Sequence, residues 1–260
     1  MVYSDIGFMG LSSRVRWIDD TSPFSRTARC PAMQILHIDC SPRQDGQSRR
    51  ISAEIVARIC TLIPEATIVK RDISTLTPPD ASYAALLASP ADANDEGTEG
   101  STELSDILIH EVEAASVMVL GAPVHNFTVP AALKSWLDHV VRMNRTFALG
   151  ANGKQGLVAD RLVLIGVAAG GFILGGEAQQ PDFFTPYLRA VLGCIGLFNV
   201  HFIPVQGTAF HDSKACQSAL DQALLALDPV LLTTISPIGT GTSSGPDARA
   251  RTAHLSRSHI

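Results

Sequence analysis

The chain predicts an open α/β fold: a doubly wound, five-stranded parallel sheet in the order 2-1-3-4-5, with helices on both faces. Three observations carry this reading. Between residues 33 and 235, short apolar runs alternate with stretches of helical spacing. The run Val117–Leu120 is apolar at every position, as in a strand buried on both faces. Most runs end in a break rich in Gly, Pro or Ser before the next helix, the βα unit whose right-handed crossovers leave few arrangements.

Composition sets the bounds. With 260 residues, 46% of them hydrophobic and 17% charged, the chain can bury the core of one such domain. We expect that domain over 33–235. Residues 1–32 sustain no period and read as a flexible extension, and 236–260, rich in Gly, Ser, Thr and Arg, as a disordered tail. A net charge of -5 gives no general pull toward nucleic acid or anionic membrane. No apolar run reaches membrane length, and Asp5, Asp19 and Asp20 stand where a signal peptide carries basic residues. The five cysteines have no CxxC spacing, so neither a disulfide framework nor a metal site is expected, and the chain reads as a cytoplasmic protein with free thiols.

In order, Met33–Asp39 is the first strand, and His37 within it reads as a satisfied buried histidine. Next comes the loop Cys40 to Ser48, then a helix with Ile51, Ile55, Ile59 and Leu62 near one face. Ala66–Arg71 is the second strand. Thr75–Gly100, with Pro78, Pro79 and Pro90, is a long excursion between elements, of the kind that serves as a lid or partner contact. Leu104–Val112 has helical spacing, and Val117–Leu120 is the third strand, broken by Gly121-Ala122-Pro123. Thr128 near the N-cap and Pro130 in the first turn open a helix that carries Leu133, Trp136, Leu137, Val140 and Val141. Gly150, Gly153 and Gly156 mark a loop before the fourth strand, Leu162–Val167. A helix over Phe183–Gly193 opens at Pro181-Asp182, Asn199–Val205 is the fifth strand, and Ser213–Leu232 is a closing amphipathic helix.

The function should lie where the first and third strands diverge, since open α/β sheets bind ligands at that switch point. The loop after the first strand offers Ser41 and Ser48 hydroxyls beside a helix start, whose free amides and dipole suit a phosphate. It has neither a Walker A ending nor GxGxxG, which points to a monophosphate. The loop Pro123 to Phe127 supplies the Asn126 amide and the flat faces of His125 and Phe127, a set suited to a planar heteroaromatic ring. Gly170 and Gly171, after the fourth strand, allow close approach to backbone amides. A phosphate with a flat ring and no dinucleotide fingerprint identifies FMN.

Three segments also resemble a known family. IDCSPRQDGQSRRI (38–51), GAPVHNFTVPAALKSWLDHVVR (121–142) and FFTPYLRAVLGCIGLFNV (183–200) are similar to the FMN-dependent NADH-azoreductases, flavodoxin-like quinone reductases that work as homodimers. The resemblance implies that Ser41, Gln47 and Ser48 hold the FMN phosphate. It implies that Pro123, Val124, His125, Asn126 and Phe127 line the isoalloxazine, with Ala168, Ala169, Gly170 and Gly171 at its far edge. His125 stands where the family has tyrosine, and Ala168-Ala169 where it has Ser-Arg. The expected activity is ping-pong hydride transfer through FMN N5, from NADH or NADPH to a quinone or azo compound. His125 is the candidate proton donor, a polar contact being its plainer role. We expect a homodimer in which each chain lends its 75–100 excursion to the other's pocket, with Trp136 and Leu137 as surplus apolar surface. An FMN electron carrier, a flavin reductase, or a hydrolase using Ser41 with His125 or His139 are the alternatives.

Overall fold

In chain order the elements are β1 (Gln34–Asp39), α1 (Gln47–Leu62), β2 (Thr67–Asp72), α2 (Ala81–Ala88), α3 (Glu103–Ala114), β3 (Val117–Pro123), α4 (Ala131–Val140), β4 (Phe147–Gly150), β5 (Gly153–Gly156), β6 (Leu162–Ala168), α5 (Thr185–Ile195), β7 (Val200–Val205) and α6 (Ser213–Ile235). They come from a computed structural model, which describes residues 33–88, 102–151 and 153–235. The extension expected at 1–32, the tail at 236–260 and the later part of the 75–100 excursion lie outside the described residues.

Five strands form one parallel sheet in the order β2-β1-β3-β6-β7, which is the predicted 2-1-3-4-5. Its register sets the site. Asp39 faces Asp72 on one side and Gly121 on the other, Pro123 faces Ala168, and Ala168 faces Val205, so the carboxyl ends of all five strands share one rim. Residues of β3 alternate between two cores. Val117 and Val119 pack with Ile51, Ile55, Ile59, Leu220 and Leu227 of α1 and α6, while Met118 and Leu120 pack with Leu108, Leu133, Trp136 and Leu188 of α3, α4 and α5. That is why the run is apolar throughout: each fully buried Val, Ile or Leu contributes about 1.5–3 kcal/mol, and both faces need them.

α1 lies unusually close to this sheet. A Cβ at Gly121 would come within 2.6 Å of the Ser48 carbonyl and 2.5 Å of the Ser52 hydroxyl, so only glycine fits. The approach delivers the start of α1 to the rim between β1 and β3.

Several local expectations change. β3 continues through Gly121-Ala122-Pro123, because a proline at a strand's last position has little ladder to interrupt. α4 starts one residue late, with Pro130 as N-cap, and the Thr128 hydroxyl donates to the Phe183 carbonyl (3.3 Å) and does not cap the helix. The glycine-rich stretch expected as a loop forms the antiparallel hairpin β4–β5, in which Lys154 lies 4.9 Å from the centre of the Phe147 ring. The excursion after β2 contains α2, whose buried Tyr83 donates to the His139 carbonyl (3.2 Å), so its described part is fastened to its own chain. Trp136 and Leu137 are at most 1% exposed and fill the intrachain core, leaving no surplus for a partner. Contrary to expectation, α6 is long and apolar enough to cross a membrane by length and composition. It lays Leu220, Leu227, Leu231 and Ile235 on the sheet, and its Asp228 pairs with Arg58 of α1.

Candidate active site

The start of α1 is left open. Its N-cap is Gly46, with no side chain to satisfy the first amides, and no acidic residue lies in the first turn. The Arg49 and Arg50 amides both turn back to the Gly46 carbonyl (3.1 and 3.2 Å), leaving those of Gln47 and Ser48 for an incoming acceptor. The Ser48 side chain is the most telling group here. Ser48 is 1% exposed, and its hydroxyl has no hydrogen-bond partner among the described residues. A buried hydroxyl left so costs about 1–3 kcal/mol, which a ligand oxygen would recover.

These groups open onto a cavity of about 210 Å³. Of the residues expected at the site, it brings together Ser41, Gln47, Ser48, Pro123, Val124, His125, Ala168 and Gly170, and it adds Arg43 and Thr208. Asn126 and Phe127 stand at the exposed tip of their loop, Gly171 is half-buried, and the Ala169 side chain is turned into the core. Sequence reasoning missed Thr208, which donates both its amide and its hydroxyl to the Ala169 carbonyl at 3.1 Å. It comes from the loop after β7, and only the register of that strand brings it to the rim. The cavity is below the roughly 300–1,000 Å³ of sites that enclose a whole ligand. It fits a phosphate and its polyol, with a ring left to lie across the open loops.

The two loops of the ring end differ from the phosphate end. His125 and Thr128 exchange backbone hydrogen bonds (2.9 and 3.1 Å), closing a tight turn in which Asn126 (φ 47°) and Phe127 (φ 72°) are both left-handed. Asn tolerates that region and Phe does so only with strain. The turn holds Phe127 out at 45% exposure, and Phe183, whose carbonyl accepts Thr128, is 58% exposed beside it.

Beneath the phosphate end lies a buried ionic cluster. His37 Nε2 is 2.9 Å from Ser52 Oγ, which is 3.1 Å from Asp39 Oδ1; Arg49 donates to Asp39 (3.1 Å) and Asp72 (2.7 Å). His37 is thus the satisfied histidine that the sequence predicts. Burial raises the Asp39 carboxyl, but the His37 hydrogen bond and the charges of His37, Arg49 and Lys70 outweigh it and hold the group below the usual range. Burial likewise opposes ionisation of Asp72, yet hydrogen bonds from Ser74 and Arg49 bring it down to about 2. Burial and the Asp39 charge push the Cys40 thiol up, which makes it an inert neighbour. A hydrolytic Ser41 lacks its base at His139, whose Nε2 is 3.0 Å from the Thr77 carbonyl and whose ring packs on Tyr83.

Comparison with known proteins agrees with this fold. Residues 33–229 match the family described as having the flavodoxin-like fold. FMN-dependent NADH:quinone oxidoreductase 4 of Pseudomonas fluorescens is 41% identical over 196 residues, 74% of this chain and 93% of that protein. The chain belongs to the flavodoxin-like family of these quinone oxidoreductases. FMN-dependent NADH:quinone oxidoreductase 5 of Burkholderia lata is also 41% identical, over 74% of this chain and 94% of its own length. Among solved structures, an azoreductase from Bacillus anthracis superposes with a TM-score of 0.66 at 21% identity, covering 76% of this chain and 99% of that one. An FMN-dependent NADH-azoreductase from the same species, in complex with FMN, gives 0.65 at 22% identity, covering 76% and 99%. These two likenesses bear on the fold.

Proposed function

We propose that this chain binds one FMN and with it carries electrons from NADH to quinones or azo compounds. The observation that carries the reading is the buried, unpartnered Ser48 hydroxyl beside two free helix amides. That trio is complementary to a phosphate monoester. Its relatives' names supply the donor and the acceptor class. NADPH as the donor fits the same arrangement.

Ser41, Gln47 and Ser48 would hold the phosphate, Val124 and the 125–128 turn one side of the ring, and the Gly170 and Gly171 amides its far edge. When bound, FMN would supply two-electron chemistry, a hydride received from NADH and two electrons and two protons passed to the acceptor, one of the protons from the medium. The chain's part is to hold the ring against an open rim, where donor and acceptor occupy one place in turn, which gives ping-pong kinetics. His125, exposed on the turn, is positioned to hand over a proton there. Cys40, Cys60, Cys194 and Cys216 form no disulfide among the described residues, which supports action in a reducing compartment, the cytoplasm.

A homodimer completes the reading. Phe127 and Phe183 leave an aromatic edge uncovered at the rim, where a ring needs shelter from water, and a two-fold partner supplies it. Light scattering at micromolar concentration should give twice the chain mass.

Protein mixed with FMN and desalted should stay yellow, bleach with NADH under argon and recover with a quinone. Initial rates should give parallel double-reciprocal lines. Protein that retains no flavin refutes the reading, and retained flavin that NADH does not reduce makes the chain an electron carrier.

A further inference from the structure

Arg49 occupies the first turn of α1, where a cation opposes the positive end of the helix dipole and no acidic side chain in that turn offsets it. It is nevertheless 8% exposed. A residue that breaks a local rule while buried is held there by something else. Its guanidinium is satisfied on three sides. Nε and Nη2 both donate to the Ser41 carbonyl, at 2.9 and 2.6 Å, Nη1 donates to Asp39 at 3.1 Å, and Nη2 donates to Asp72 at 2.7 Å. Four of its five N–H groups are used in a planar fork, a geometry that lysine cannot reproduce.

The charges close locally. Arg49 and Lys70 (3.4 Å from Asp39) stand against Asp39 and Asp72, so the cluster sends little net field toward the cavity. What it does transmit is position. Ser41 is gripped by its carbonyl from below while its hydroxyl, 3.2 Å from the Arg43 amide, faces the cavity. A Cβ at Gly46 would come within 2.7 Å of that same hydroxyl, so loop and helix start are packed against each other with no slack. The Arg49, Asp39 and Asp72 side chains are absent from this cavity's lining, Arg49 and Asp39 facing a second cavity beside Gly46 and Lys70, and their hydrogen bonds go to Ser41 and to one another.

We propose that Arg49, clamped by Asp39 and Asp72, is the positioning residue of the phosphate loop and sets the preference for FMN over the unphosphorylated flavin. This rests on the FMN reading above, and it assigns selectivity to a group that never meets the ligand. Releasing the carbonyl lets Ser41 drift from the Gln47 and Ser48 amides, and losing one hydrogen bond to a charged phosphate costs on the order of tenfold to a hundredfold in affinity. Riboflavin, which has no phosphate, should not feel it.

The test is the pair of dissociation constants for FMN and riboflavin, measured by flavin fluorescence on folded apoprotein. Arg49→Gln should weaken FMN roughly tenfold to a hundredfold and leave riboflavin within about twofold. Arg49→Lys should restore only part of the difference, and the phosphorus resonance of bound FMN should broaden or shift in both variants. If Arg49→Gln does not fold, Asp72→Asn decides, since that side chain is 39% exposed and its loss loosens one arm of the clamp. An unchanged FMN-to-riboflavin ratio in the folded variants overturns the inference, as does an equal loss for both flavins. A wild-type protein with no preference for FMN overturns the phosphate reading itself.

Discussion

Ser48 and Phe127 stand at opposite ends of one site and are held in opposite ways. Ser48 is 1% exposed, on a helix pinned to the sheet by the close approach at Gly121 and braced by the Asp39–Arg49–Asp72 cluster. Phe127 is 45% exposed, on a four-residue turn, in a backbone region that phenylalanine enters only at a cost. The difference follows from what each end must do. On the proposed function, a cofactor phosphate arrives once and stays, so fixed, prearranged donors suit it. On the same reading the ring face admits two different reactants in turn, so it is kept open, and strain is tolerated where packing would obstruct.

The largest effect should come from breaking the closed end. Ser48→Ala removes a hydroxyl to a charged acceptor, a loss of about 1.5–3 kcal/mol, or on the order of 10- to 150-fold in the FMN dissociation constant. Turnover at saturating FMN should hold. An unchanged constant would make Ser48 a structural hydroxyl and remove the main support for the phosphate site.

Next comes the open end. Phe127→Gly relieves a left-handed φ and should raise stability by about 1 kcal/mol, while the lost aromatic face raises KM for NADH or quinone. Thermal melts beside steady-state kinetics would show it. A variant less stable than wild type would mean that Phe127 packs in solution, and the contrast between the two ends would fail.

The same contrast separates what the sequence discloses from what it hides. Val117–Leu120, the Ser41 loop and the α1 periodicity are local patterns; they locate the sheet before any coordinates and single out the loop where the phosphate is proposed to bind. The β4–β5 hairpin stays hidden because Gly150, Gly153 and Gly156 have weak strand preference, and its pairing is made by register. Thr208 and the Arg49–Asp72 contact are hidden for a related reason: they join segments distant in the chain. Arg49 did leave a trace, a cation in a first helical turn with no acid to balance it. The Trp136 face misleads in the other direction, since amphipathic spacing says that a face is buried and not by whom.

A smaller effect lies in the acid limb. Asp39 and Asp72 both sit below the ordinary aspartate value of 3.8 when folded, so the unfolded chain binds protons more readily, and stability drops as pH falls. Their contribution is complete above about pH 4 and is lost as pH falls, toward pH 2 for Asp72, as Asp39 gives up His37, Arg49 and Lys70 and Asp72 gives up Arg49 and Ser74. Melting temperatures from pH 5 to 3 should fall less steeply in Asp72→Asn than in wild type. Identical slopes would show that Asp72 is too exposed to matter.

The smallest expected effect is at His125, and it asks whether the open end does chemistry or only admits reactants. Its backbone is fixed by the two hydrogen bonds to Thr128, yet its side chain is exposed, so the imidazole has a fixed origin and a free reach. A proton donor in a closed site is worth about 10²–10⁴ in rate. Here water reaches the same rim and can deliver the proton in its place. His125→Gln should therefore lower kcat by about tenfold or less, under the range for an enclosed acid. The split between kcat and KM is the sharper readout. If His125 gives the proton, the glutamine variant loses kcat and keeps its KM. An unchanged kcat with a raised KM would assign His125 to holding the ring or the acceptor, and the open end would then bind and orient while water supplies the proton.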